Sequence, residues 1–241
     1  MLFTTPEGKE VPSLSADQMR EVDRIAVEEF GLGLLQMMEN AGQNLADVVL
    51  DQVPHIEGTI VVLAGPGGNG GGGLCAARHL HNHGLDVELI LAELKIGQAT
   101  QNQLNILEHS GISVLKEDEI SGELQNAHVV LDALIGYSLK GAPRRNTARL
   151  IQLANQLAER IVSLDIPSGV DATTGETPGI AIHPQITVTL ALPKSGLAQV
   201  EGDLFLADIG IPLEVYTSMG LDLEPFFGQK YWIPLEKKAN Q

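Results

Sequence analysis

Cys75 is the only cysteine in the chain, so no intramolecular disulfide can form and no zinc site of the CxxC kind exists. Aromatic residues are also scarce, at 4 % of a chain that is 44 % hydrophobic, so any core must be built from valine, isoleucine, leucine and alanine. Acidic side chains outnumber basic ones 31 to 15, which leaves a net charge of −16. That balance argues against nucleic acid as a partner, because phosphate neutralisation needs clustered lysine and arginine. It does not exclude a small anionic ligand, since backbone N–H groups hold phosphate without net positive charge. No uncharged apolar run reaches the roughly 18 residues of a membrane span. The opening MLFTTPEGKE lacks the basic-then-apolar order of a secretory signal. A cytoplasmic chain without a membrane partner is expected.

The patterning that is present alternates between two periods. Residues 15–30 place Met19, Val22, Ile25, Ala26 and Phe30 at helical spacing, with Ser15 or Asp17 as N-cap. A second helix follows from Leu34, with Met37, Met38, Ala41, Leu45, Val48 and Val49 on one side as a core stripe. From residue 59 short β-branched runs take over, beginning with TIVVLAG, and they alternate with helical stretches such as LCAARHLHNHG and RRNTARLIQLANQLAER. Further strands are expected at VELILAEL, ISVLKE, HVVLDALIG, IVSLDIPSG, ITVTLALP and LFLADIGIP. This order predicts an α/β fold with a mostly parallel sheet covered on both faces and two helices ahead of its first strand. The tail holds Trp232, Phe226 and Phe227, and is expected to dock through them before fraying at LEKKANQ.

Ligands of open α/β sheets bind beyond the carboxyl ends of the strands. Four segments put unusual residues there: GPGGNGGGG at 65–73, DALIG from Asp132, DIPSG from Asp165, and Asp208 in ADIGIP. Seven glycines in nine positions imply either turns with φ > 0 or backbone that must approach a ligand closely. The stretch GPGGNG formally fits the dinucleotide fingerprint, but Asp86 and Glu88 come too early and Glu93 too late for its acidic partner. No Gly-Lys-Ser/Thr follows, which excludes a P-loop. Asp132 and Asp165, with Asn69 and Ser168, make an all-oxygen set suited to a hard monovalent or divalent cation. His79, His81 and His83 show no carboxylate partner in the sequence and read as a solvated helix end, and Cys75 as a small buried residue.

Taken in order, MMENAG at 37–42, GPGGNGGGG at 65–73, DALIGYSLKG at 132–141, DIPSGVDATTGE at 165–176, LPKSGL at 192–197 and ADIGIP at 207–212 resemble the motifs of the YjeF N-terminal domain family, the NAD(P)H-hydrate epimerases. The likeness runs over about residues 15–212. It implies a single domain over 1–241 with a tail at 213–241, built as a three-layer α/β/α Rossmann-like sandwich and often paired as a homodimer. It further implies interconversion of the R and S epimers of hydrated NADH and NADPH (NADHX and NADPHX), so that a separate dehydratase can repair the S form. Carried over by position, a potassium ion would be held by Asn69, Asp132 and Ser168. The substrate would touch Gly68, Asn69, Gly70, Gly71 and Gly72, then Gly136, Tyr137, Ser138, Leu139, Lys140, Gly141 and Ala142, and Asp165. The substrate is a carbinolamine, and Asp165 is the expected general acid/base, with Lys194 or Lys140 as electrostatic partner. Where the family pattern has an Asn and an Asp, this chain has Gly68 and Gly72. A ligand-binding or protein-interaction module is therefore the alternative to an active epimerase.

Overall fold

The structure is a computed structural model, and it describes residues 3–112 and 114–238. Nine strands form one sheet, ordered β2-β1-β9-β8-β7-β6-β5-β3-β4. The six strands β3 (Ile60–Ala64), β4 (Val87–Leu91), β5 (Val129–Ala133), β6 (Ile161–Leu164), β7 (Ile186–Leu190) and β8 (Asp203–Ala207) run parallel. Their near-continuous apolar sequences are what a strand buried on both faces requires. β9 (Trp232–Lys237), β1 (Phe3–Thr4) and β2 (Glu10–Val11) then extend one edge antiparallel.

Strand alternation sorts the core. Val62, Leu131, Val162, Val188 and Phe205 face α2 (Leu34–Gln52), α3 (Gly68–Asn82) and α4 (Gln98–His109). On the other face Val61 and Val130 meet α5 (Ile120–Asn126) and α6 (Arg145–Leu157), while Leu204 and Leu206 meet α1 (Ala16–Glu28) and α7 (Leu213–Ser218). The result is the expected three-layer α/β/α arrangement. α1 begins at the expected Ser15, whose hydroxyl accepts from the Gln18 N–H while the Gln18 side chain accepts from the Ser15 N–H. Such a reciprocal cap satisfies two otherwise orphaned donors.

Three expectations need correction. Two short strands precede the first helices. The tail does dock, with Trp232 edge-on to Phe205 at 5.5 Å, but Leu235, Glu236 and Lys237 do not fray: they complete β9. Residues 239–241 of LEKKANQ lie outside the described residues. The strand expected at ISVLKE is reduced to one bridge, Leu89 to Val114, and Ser113 lies outside the described residues.

The glycine run is the largest surprise. None of residues 65–73 has a positive φ, and α3 already begins at Gly68. A Cβ on Gly71 would come within 2.5 Å of the Met38 thioether, one on Gly72 within 2.9 Å of Leu164, and one on Gly73 would overlap Ala133. Gly71 to Gly73 are therefore bare so that α3 can lie directly on α2 and on the sheet, and Gly70 is bare because a Cβ there would fall 1.9 Å from the Gly65 carbonyl oxygen. Only Gly67 and Gly68 have open space where a side chain would go, and they alone keep the expected freedom for a ligand.

Candidate active site

Strand order reverses at β3, whose neighbours are β4 on one side and β5 on the other. The crevice beyond such a switch point is where open α/β sheets bind ligands, and a cavity of about 300 Å³ opens there. Gly68, Asn69, Gly72, Gly136, Tyr137, Ser138 and Asp165 all line it. Gly70 and Gly71 lie buried beneath it in α3, and Leu139, Lys140, Gly141 and Ala142 continue the same loop outside its wall. Of the two lysines considered, Lys194 lines the cavity and Lys140 is exposed.

Asp165 follows the last residue of β6 with φ +71, a left-handed conformation that costs a non-glycine residue energy and is common at functional sites. The turn aims its carboxylate into the cavity, where it is only 3 % exposed. The Tyr137 N–H donates to Oδ2 at 2.8 Å, and the Lys194 ammonium forms an ion pair with Oδ1. Lys194 is itself 1 % exposed and donates to the Leu190 carbonyl at 2.7 Å. A buried lysine needs such partners, because an unpaired charge in apolar surroundings is expensive.

Asp132 is the penultimate residue of β5 and is fully buried. Oδ1 accepts from the Ser168 hydroxyl at 2.5 Å and the Leu134 N–H at 3.2 Å. Oδ2 accepts from the Ser163 hydroxyl at 2.8 Å and the Ser168 N–H at 2.9 Å. Burial holds its carboxyl above the usual range, and these four donors offset only part of that rise. No cationic side chain acts on it among the described residues. Asn69, at the first turn of α3, has a buried amide nitrogen with no hydrogen-bond partner. A carboxylate without a countercharge, a serine hydroxyl bonded to it and an unengaged amide that can present either end form an oxygen set that fits a monovalent cation.

Several wall residues were not foreseen. Met19 and Asp23 come from α1, and Leu34, Met37, Met38 and Ala41 from α2. Asp23 had left one trace: it stands on the buried face of α1, one turn beyond Met19 and just before Ala26, where an apolar residue is the norm. The histidine reading is also corrected. His79 is not merely solvated, since Nε2 lies 2.9 Å from Glu39 Oε1. Arg78 reaches both Glu39 oxygens at 2.6 Å, and the Cys75 thiol, pushed up to about 12 chiefly by burial, donates to the same carboxylate at 3.1 Å. With the guanidinium on both oxygens, this cluster is a strut between α2 and α3.

A sequence profile described as the YjeF-related protein N-terminus matches residues 34–196. The NAD(P)H-hydrate epimerase of Dehalogenimonas lykanthroporepellens is 51 % identical over 223 residues, covering 91 % of this chain and 90 % of the relative. That of Rhodopirellula baltica is 33 % identical over 216 residues, covering 86 % and 87 %. A Methanopyrus kandleri protein named bifunctional NAD(P)H-hydrate repair enzyme Nnr is 35 % identical over 207 residues, which are 80 % of this chain and 41 % of that one. The crystal structure of the yeast protein ynu0 matches with a TM-score of 0.84 at 24 % identity, covering 93 % of this chain and 100 % of the other. At that identity the likeness bears on the fold alone.

Proposed function

Because this chain belongs to the YjeF-related protein N-terminus family, we propose that it is an isomerase interconverting the R and S epimers of hydrated NADH and NADPH in nucleotide repair. The observation that carries the reading is the Asp165–Lys194 ion pair, sealed in a strand-end cavity of nucleotide-binding placement. The hydrated ring bears a hydroxyl on the carbon beside its nitrogen. Asp165 takes the hydroxyl proton, which opens the ring, and returns it when the ring recloses on its other face. Lys194 holds the carboxylate in place, and the Tyr137 N–H fixes its second oxygen. The open backbone at Gly67 and Gly68, at the N-terminus of α3, is suited to the diphosphate, where free N–H groups and the helix dipole favour negative charge. Met19, Met37 and Leu164 keep the ring away from bulk water.

Asn69, Asp132 and Ser168 would hold a potassium ion. Bound there, it would supply the countercharge that Asp132 lacks. The relatives named as bifunctional repair enzymes support functional coupling to a second repair activity, which on this reading is a dehydratase consuming the S epimer. Gly68 and Gly72 do not count against activity. Gly68 faces open space, and Gly72 brings its bare backbone to the cavity wall beside Leu164.

The test supplies (R)-NADHX and an S-specific dehydratase and follows recovery of NADH with and without potassium. Wild-type recovery well above the spontaneous rate, reduced about 100-fold or more by Asp165→Asn, is expected. Recovery at background with ligand still bound would turn the assignment to a binding module.

A further inference from the structure

The epimerase reading leaves a second carboxyl in the cavity without a task. Asp23 lines the wall, and the Tyr137 hydroxyl donates to its Oδ2 at 2.5 Å. The backbone N–H of the same tyrosine donates to Asp165, so one residue fastens both carboxyls, one at each end. The Lys194 ammonium is paired with Asp165 and lies 5.9 Å from the centre of the Tyr137 ring. We propose that Asp23 is the general acid that complements the base Asp165, and that the Tyr137 hydroxyl positions it. This rests on the epimerase reading above.

Two carboxyls and one lysine share a site walled by Met19, Met37 and Leu164. Like charges in such surroundings do not ionise together readily. Asp165 has the ammonium, so the proton belongs on Asp23. Its titration agrees in direction: burial first, then the charge of Asp165, push the Asp23 carboxyl above its ordinary range, while Tyr137 and Lys194 oppose them.

The reaction needs both. Asp165 removes the hydroxyl proton, the oxygen electron pair forms C=O, and the C–N bond breaks with its electrons passing to the ring nitrogen. Asp23 gives that nitrogen a proton. Rotation about the adjoining C–C bond turns the other face of the aldehyde toward the nitrogen. On reclosure the nitrogen attacks and returns its proton to Asp23, and Asp165 returns its proton to the oxygen. One C–N bond is broken and one made, and both carboxyls end as they began.

The test is the (R)-NADHX assay with excess S-specific dehydratase, resolved into kcat and KM from about pH 5 to 9. Groups acting on Asp23 are Tyr137, Lys194 and Asp165, with Tyr216 of α7 and Arg20 of its own helix in the same neighbourhood. Asp23→Asn is expected to lower kcat about 100-fold or more, with KM changed less than about threefold, and to abolish the alkaline limb of the kcat profile. Tyr137→Phe removes a donor that favours the carboxylate, so Asp23 keeps its proton to higher pH. That limb should move upward, with a smaller loss of kcat. Asp23→Asn with kcat within about threefold of wild type, or an alkaline limb unmoved in Tyr137→Phe, overturns the proposal. Where Asp23→Asn does not fold, the Tyr137→Phe limb decides. A wild-type rate at background overturns the epimerase reading and this inference together, whereas an active wild type with an indifferent Asp23 overturns the inference alone.

Discussion

Asp132 and Asp165 stand at the carboxyl ends of neighbouring strands, the first just inside β5 and the second just past β6; both are buried, yet they are kept in opposite ways. Asp132 is held by four neutral donors and meets no cationic side chain among the described residues. Asp165 has one backbone donor and a lysine, and its carboxylate opens on the cavity. Four neutral hydrogen bonds fix a carboxylate in place but give it no countercharge. An ion pair with a free side leaves room for a substrate proton. The first arrangement ties strand ends together, and the second keeps a carboxylate facing the cavity.

Lys194→Met tests this contrast hardest, since it leaves Asp165 as buried as Asp132 but without the four donors. Removing one partner of a buried pair costs about 3–5 kcal/mol, and denaturant unfolding at neutral pH should show a loss of that order. A loss under 1 kcal/mol would mean that the ion pair does little for the fold. Asp132→Asn is expected to cost less, about 2–3 kcal/mol, because an amide nitrogen would then face donors from Ser163 or Ser168. Potassium in place of sodium should raise the melting temperature of wild type and leave this variant unmoved; equal shifts in both would remove the cation from Asp132.

The smallest effect belongs to a carboxylate away from both. Glu88 on β4 is raised to about 7, by burial first and then by Glu123. A carboxyl raised on folding binds a proton that the unfolded chain has released, so stability falls as pH rises from about 4.5 to about 7. Glu88→Gln should therefore melt about 2 °C higher at pH 8 and no differently at pH 4. A variant that melts lower at pH 8 would show that Glu88 is held as a favourable charge.

Much of this was legible because parallel strands announce themselves. A strand buried on both faces must be apolar throughout, so TIVVLAG and HVVLDALIG stood out, and the aspartates that break such runs mark the strand ends. β1 and β2 were not legible, since two-residue strands have no period, and the strand that joins them to the sheet, β9, lies about 230 residues on from β1. β9 was hidden by Pro234, which sits opposite Phe205 although proline is generally kept to sheet edges. The glycine run was visible but its reason was not. Sequence shows that a Cβ is missing, whereas Met38, Leu164 and Ala133, which would strike it, come from three other elements. Asp23 reached the site from a helix read only for its apolar stripe, where the one charged residue on the buried face was the available sign.

The antiparallel edge carries a mechanical consequence. Phe3 pairs with Lys237 and Thr4 with Glu236, so β1 and β9 share two rungs, one behind the other. A force applied through Phe3 and Lys237 would bear first on their own rung and then on that of Thr4 and Glu236, opening the edge as a zipper opens. The parallel strands that frame the cavity would carry no load until the clasp had come apart.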